Sequence, residues 1–199
     1  MWERRLLPVI GQPQPERADA VRNRRKILDV AARMISEHGT DGLSLDEVAR
    51  AAGVGVGTVY RRFGDRTGLL MALLDEHERR FQEAFLAGPP PLGPGAPPEE
   101  RVIAFLHALV DRIVAQEDLY VMLERSRKAN VGMGPYGLHH VHLAALLTQV
   151  RPGTPTAYLA DALLASVGAC LMAYQRHERG MTVGDIKAGL TLLAESVMR

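Results

Sequence analysis

The chain has 199 residues, 47% of them hydrophobic and 24% charged, with a net charge of +1. That length and balance suit one large or two small globular domains with a real core and exclude an intrinsically disordered class. A single cysteine, Cys170, excludes an internal disulfide framework and fits a reducing cytoplasm. Leu6 to Ile10 is too short for a secretory signal and is broken by Pro8. The apolar run from Ala157 to Tyr174 contains Asp161 and Ser166, so it is expected to be buried in protein and not to cross a membrane.

No strand period appears, and every apolar repeat is helical, which predicts an all-α chain of about nine helices. Residues 1–21 carry Pro8, Pro13 and Pro15 without a sustained period and are expected to form a flexible arm bearing Arg4, Arg5 and Arg17. From Arg22, the residues Ile27, Ala31, Met34 and Ile35 make a helical stripe that stops at His38-Gly39. Arg24, Arg25 and Lys26 crowd the first turn of that predicted helix. Cations there oppose the helix dipole, which suggests phosphate as their partner.

Ser44 and Glu47 have the spacing of a capping box, and Leu45, Val48, Ala49 and Ala52 then fall on one face of a short helix ended by Gly53. A second short helix through Thr58 to Phe63 turns Val59 and Phe63 inward and leaves Thr58, Tyr60, Arg61 and Arg62 outward. Two short helices about a glycine turn form a helix-turn-helix, predicted over 22–66. The outward hydroxyl, phenol and guanidiniums match phosphate oxygens and guanine O6/N7 in a major groove, and Arg66, just past Gly64, can clamp a phosphate. The charge distribution agrees, with 10 Lys and Arg against 7 Asp and Glu from Arg17 to Arg66, and 10 against 10 from Pro98 to Arg199.

This stretch resembles the DNA-binding domain of the TetR (tetracycline-repressor-like) family over Arg24 to Leu74. The matching residues are Ile27-Leu28-Asp29-Val30-Ala31, His38-Gly39, Ser44-Leu45-Asp46-Glu47-Val48-Ala49, Gly53-Val54, Gly57-Thr58-Val59-Tyr60-Arg61-Arg62-Phe63 and Leu69-Leu70. The resemblance implies that the second helix of the motif enters the major groove, with Thr58, Tyr60 and Arg62 contacting DNA. Arg66 stands where the family usually has lysine, and Arg62 where it often has histidine. The DNA-contacting set expected from residues and resemblance together is Arg24, Arg25, Lys26, Ser44, Thr58, Tyr60, Arg61, Arg62 and Arg66.

After the motif, Leu70, Leu73, Leu74, His77, Phe81 and Phe85 predict one long connecting helix, 67–87 as a segment, through which a tilt at Phe81 or Phe85 would move the reader. Residues 88–98 hold six prolines and three glycines and are expected to be a semi-rigid, extended linker. Residues 99–199 are expected to be an effector-binding and dimerisation domain. Its predicted elements are a helix from Glu99 to Gln116, a second capped by Asp118, an irregular segment at 130–137, a helix from Leu138 to Val150, one long helix from Thr156 to Arg179, and a last helix started by Thr182 and Asp185.

Ala165, Gly168 and Ala169 would let another helix approach, and Ile186, Leu190, Leu193 and Val197 repeat as a seam, so a second copy of the chain is the expected partner. The resemblance implies the same homodimer, and two copies reading DNA together imply a near-palindromic operator. Candidate effector-pocket residues are Phe105, His107, Leu109, Tyr120, Met122, Arg125, His142, Leu146, Cys170 and Tyr174, and the resemblance implies a small, largely apolar effector. His139 and His142 can share a helix face, but no second ligand pair accompanies them, so no metal is expected. Gly53-Val-Gly55-Val-Gly57 lacks the preceding strand and following lysine of a phosphate loop. With no nucleophile elbow, paired carboxylates or cofactor fingerprint, neither an enzyme nor a cofactor is expected. The expected function is a ligand-responsive repressor in the cytoplasm, the alternative an architectural DNA-binding protein without an effector.

Overall fold

The structure is a computed structural model that describes residues 15–40, 42–126 and 135–199, with the side chains of 15–18, 123, 125 and 126 left aside. Among the described residues there are ten α-helices and no strands: α1 (Pro15–His38), α2 (Leu45–Ala52), α3 (Val56–Phe63), α4 (Arg66–Ala87), α5 (Pro98–Ala115), α6 (Glu117–Ser126), α7 (Pro135–Val150), α8 (Thr156–Ala165), α9 (Ala169–His177) and α10 (Val183–Met198). They form two compact units that divide within α4, at Leu73 and Leu74.

In the first unit, α1 starts at Pro15, earlier than the arm expected over 1–21 allows, because proline at a first helical position sacrifices no needed N–H. The rest of that arm, with Arg4 and Arg5, lies outside the described residues. Arg24, Arg25 and Lys26 are therefore mid-helix, and the dipole argument for them falls away. The core is built from Ile27, Leu28, Ala31 and Ile35 of α1 against Leu45, Val48, Ala49 and Ala52 of α2 and Val59 and Phe63 of α3.

The helix-turn-helix geometry rests on two glycines. Gly53 is left-handed (φ 61°), and the N–H groups of Gly53 and Val54 donate to Arg50 O (3.1 Å) and Ala49 O (3.0 Å), a Schellman closure. A Cβ at Gly68 would lie 1.9 Å from Phe63 O, so only glycine lets the start of α4 approach the end of α3 this closely. The Asp65 carboxylate accepts from Gly68 N (2.8 Å). The capping box expected at Ser44 is absent: its hydroxyl makes no cap bond, and the turn is closed by Val48 N donating to Ser44 O (3.0 Å).

The second unit is organised about α5, which packs on α7 and α10, while α8 packs on α7 and α6 on α9. Residues 88–98 are not extended but turned back, with Gly93 N donating to Pro89 O (3.0 Å) and a Cβ at Gly93 only 1.9 Å from Gly88 O. Asp118 lies inside the first turn of α6 instead of capping it. Of the irregular segment expected at 130–137, residues 130–134 lie outside the described residues and 135–137 begin α7. The long helix expected from Thr156 to Arg179 is two helices bent by 44°, and among the described residues no single helix is long and apolar enough to cross a membrane. Ser166 Oγ donates to Leu163 O (2.6 Å) at the break, and Glu124 of α6 accepts from Ala169 N (2.6 Å) and Cys170 N (3.2 Å), capping α9. The start predicted for α10 is a full capping box, Thr182 Oγ1 accepting from Asp185 N (3.1 Å) and Asp185 from Thr182 N (2.8 Å).

Candidate nucleic-acid interface and buried polar cluster

The outward face of α3 follows from its two inward residues, since burying Val59 and Phe63 leaves Tyr60, Arg61 and Arg62 exposed, with Thr58 half-buried beside them. Tyr60 is 47% exposed, unusual for so large a ring on a short helix. Arg25 is exposed on α1, and Arg66 is half-buried at the first position of α4.

Other expected DNA contacts lie against parts of the same unit, although Lys26 and Arg62 stay exposed. Lys26 folds over the turn, its Nζ 3.5 Å from the position a Cβ would take at Gly53, where a cation favours the C-terminus of α2. The Arg24 guanidinium sits over the Phe63 ring at 5.8 Å, and Arg62 Nη1 donates to Ala20 O at 2.6 Å. Ser44 is half-buried, its hydroxyl not spent on the helix cap.

The candidate effector residues among the described side chains divide between the core and the surface of the second unit. Phe105, Leu109 and Leu146 lie in the core of the second unit, with Tyr120 packed against it. His107 Nε2 bonds Thr191 Oγ1 (2.9 Å) and Lys187 O (3.2 Å) of α10. Met122 and Tyr174 are exposed, Cys170 is half-buried on α9, and the side chain of Arg125 lies outside the described residues.

What the structure does bring together is a buried polar cluster on α4, α5, α6 and α7 that the sequence pattern did not disclose. Glu78 Oε2 pairs with Arg112 Nη2 (2.6 Å), and Glu78 Oε1 pairs with His139 Nε2 (3.0 Å) and accepts from Gln82 Nε2 (2.7 Å). The Arg112 guanidinium also lies 5.2 Å from both the Phe81 and the Tyr120 ring centroids. Burial alone would raise the Glu78 carboxyl, but the hydrogen bond and charge of His139, with Arg112 and Gln82, outweigh it and bring the group down to about 2.

Next to it, the His142 ring packs at a tilt 4.4 Å from Phe85 and 5.0 Å from Phe105, and burial, then Arg101 and His139, push its imidazole down to about 4. Its Nε2 has no hydrogen-bond partner among the described residues. Burial also pushes the Tyr120 phenol up, keeping it protonated. The signal for Glu78 was a carboxylate at a position where the stripe of α4, from Leu74 to Phe81, demands an apolar residue.

His139, weighed above with His142 for metal, is thus committed to Glu78. Among the described residues no three His, Cys, Asp or Glu side chains converge as metal ligands.

The seven residues expected at a dimer seam divide. Ala169, Ile186 and Leu190 are buried in the chain's own core and Val197 packs against it, Gly168 is half-buried beside the Glu124 carboxylate, and Ala165 and Leu193 are exposed. Leu192, at 66% exposure, joins Leu193 on the open side of α10.

Comparison with known proteins bears on both units. Residues 27–73 match the domain family described as bacterial regulatory proteins, tetR family. The chain is 32% identical over 69 residues to the HTH-type transcriptional regulator SAB2452 of Staphylococcus aureus, a stretch covering 35% of this chain and 37% of that protein. The match thus spans little more than a third of the relative.

Among solved structures, a transcriptional regulator from Rhodococcus sp. Rha1 superposes with a TM-score of 0.68 over 87% of this chain and 95% of its own, at 17% identity. AibR, solved in complex with isovaleryl coenzyme A and operator DNA, superposes with a TM-score of 0.54 over 85% and 96%, at 20% identity. At such identities the likeness is one of fold. The N-terminal domain of this chain belongs to the TetR family, and both units follow the all-helical fold of such regulators.

Proposed function

We propose that this chain, with its TetR-family N-terminal domain, is a ligand-responsive transcriptional regulator. It acts in the cytoplasm as a repressor that binds a near-palindromic operator as a homodimer and is released by a small molecule. The observation that carries the reading is the exposed face of α3: Tyr60 and Arg61, flanked by Thr58, stand outward on a helix that follows the Schellman turn closing α2. In this reading Tyr60 and Arg61 contact base edges, while Arg66 and Arg25 contact phosphates. The open side of α10, with Leu192 and Leu193, supplies the apolar surface for a second copy. The relative AibR, with a ligand and operator DNA in one crystal, supports an effector for this chain too.

The mechanism is a population shift, in which the effector prefers a dimer whose two readers no longer fit one operator. α4 is continuous from Arg66 to Ala87, so any change in the pairing of Glu78 is made on the same helix that begins at Arg66.

The test begins with an operator selected by the wild-type protein from random duplex DNA. Arg61→Ala, with helix content intact, should weaken operator binding by about 1–3 kcal/mol and relax preference at one base pair. Arg66→Ala should weaken binding to all sequences alike and lower the salt slope by about one. Unchanged binding in both variants would refute the assigned reader.

A second reading, an architectural DNA-binding protein without an effector, is favoured by one observation: Phe105, Leu109 and Leu146 are buried in the chain's own core. Melting of the wild-type protein against a metabolite library separates the two, since an effector raises the melting temperature by mass action and an architectural protein has none to respond to.

A further inference from the structure

We infer that Arg62 is a positioning residue: it fixes α3 on α1, and it does not itself read DNA. This rests on the proposed DNA reading by α3 and assigns Arg62 a different part in it from Tyr60 and Arg61. The geometry is reciprocal. Arg62, in the last turn of α3, donates to the carbonyl of Ala20 in α1, while Arg24, one turn further along α1, lays its guanidinium over Phe63, the last residue of α3. Each helix sends one arginine to the other, and the two contacts lie side by side.

A carbonyl oxygen has two lone pairs, so Ala20 O can take the guanidinium and still serve the helix ladder of α1. A guanidinium donating to a neutral carbonyl is a charge-assisted bond, the stronger kind. Lys26, lying over Gly53, is a third cation of α1 or α3 placed against another part of the same unit. The buried residues of α3 are Val59 and Phe63, both on one side and about 6 Å apart along its axis at roughly 1.5 Å per residue, so their burial resists rolling about that line least. The bond to Ala20 O lies off that line and holds the roll, and so decides where Tyr60 and Arg61 point.

The experiment uses the full-length chain, an operator selected from random duplex DNA by the wild-type protein, and an unrelated duplex. Arg62→Ala and Arg62→Lys are compared with wild type by amide hydrogen exchange without DNA, by melting, and by DNA affinity across a salt series. For Arg62→Ala the expected result is roughly threefold to tenfold faster exchange of the α1 amides around Ala20, a similar loss of operator affinity shared by every base position, and a salt slope equal to wild type. Arg62→Lys, which keeps a donor able to reach a carbonyl, should recover part of both.

Two results overturn the inference. One is a salt slope lower by about one with α1 exchange unchanged, which makes Arg62 a phosphate contact. The other is a loss confined to one base pair, which makes it a reader. Binding of neither duplex by the wild-type protein would sink the DNA reading itself, and the exchange measurement would still decide the contact between Arg62 and α1.

Discussion

His142 gives the second unit a pH dependence that can be isolated. Its ring is packed against Phe85 and Phe105 with Arg101 and His139 nearby, and its pKa is pushed down to about 4 from the ordinary histidine value of about 6.5. The folded state thus favours the neutral ring, while the unfolded chain takes up a proton as pH falls below its own pKa. The stability involved is fully present above about pH 6.5, is lost as pH falls from there to about 4, and changes no further below. The full shift is worth about 2 kcal/mol at about pH 5; since the ring is only half withdrawn from solvent, about 1 kcal/mol is the fair expectation. His142→Phe keeps an aromatic ring in the slot and removes the titration. On going from about pH 7.5 to about pH 5, wild type should lose roughly 2–4 °C more in melting temperature than the variant. Other titrating groups cancel in that double difference, and parallel pH profiles for the two proteins would refute the reasoning.

Three further outcomes are expected. Gly53→Ala forces a Cβ into a left-handed residue at φ 61° and should destabilise the chain by about 1 kcal/mol, read by chemical denaturation, with DNA affinity falling as the turn shifts. Glu124→Ala removes the cap from α9 and should cost about 1 kcal/mol, visible as faster amide exchange at Ala169 and Cys170. Leu192→Glu with Leu193→Glu should leave the fold intact by circular dichroism and convert the proposed dimer to monomer in sedimentation, because both side chains face outward.

The helix-turn-helix was legible because its determinants are local: the stripe from Leu45 to Ala52, the glycine at 53 and the inward pair Val59 and Phe63 each act within a turn or two. Local rules failed at particular positions. Ser44 and Glu47 have the capping spacing, yet the side chain of Ser44 makes no cap bond, whereas Thr182 and Asp185, with the same spacing, cap α10 in full. The helix expected to run through Thr156 to Arg179 is apolar over most of its length, and its break depends on Ser166 turning back on Leu163 and on Glu124 arriving from α6, which no periodicity contains. Arg24, Lys26 and Arg62 carry the charge expected of a DNA-facing surface, but composition cannot tell which arginine meets a phosphate and which meets Ala20 or Phe63. Glu78 was hidden for the opposite reason, since a carboxylate on an apolar stripe makes sense only once Arg112 and His139 are seen beside it.

The carboxylate caps at α9 have a consequence for cooperativity. Nine residues are too few for a helix to persist alone in water, because the cost of the first turn is recovered only over a longer run. α9 takes its N-terminal cap from Glu124, and at its other end Arg176 and His177 pair with Glu117. Both anchors belong to α6, itself a ten-residue helix. Neither helix has a stable life without its neighbour, so the two should open and close as one event, and whatever loosens α6 will melt α9 with it.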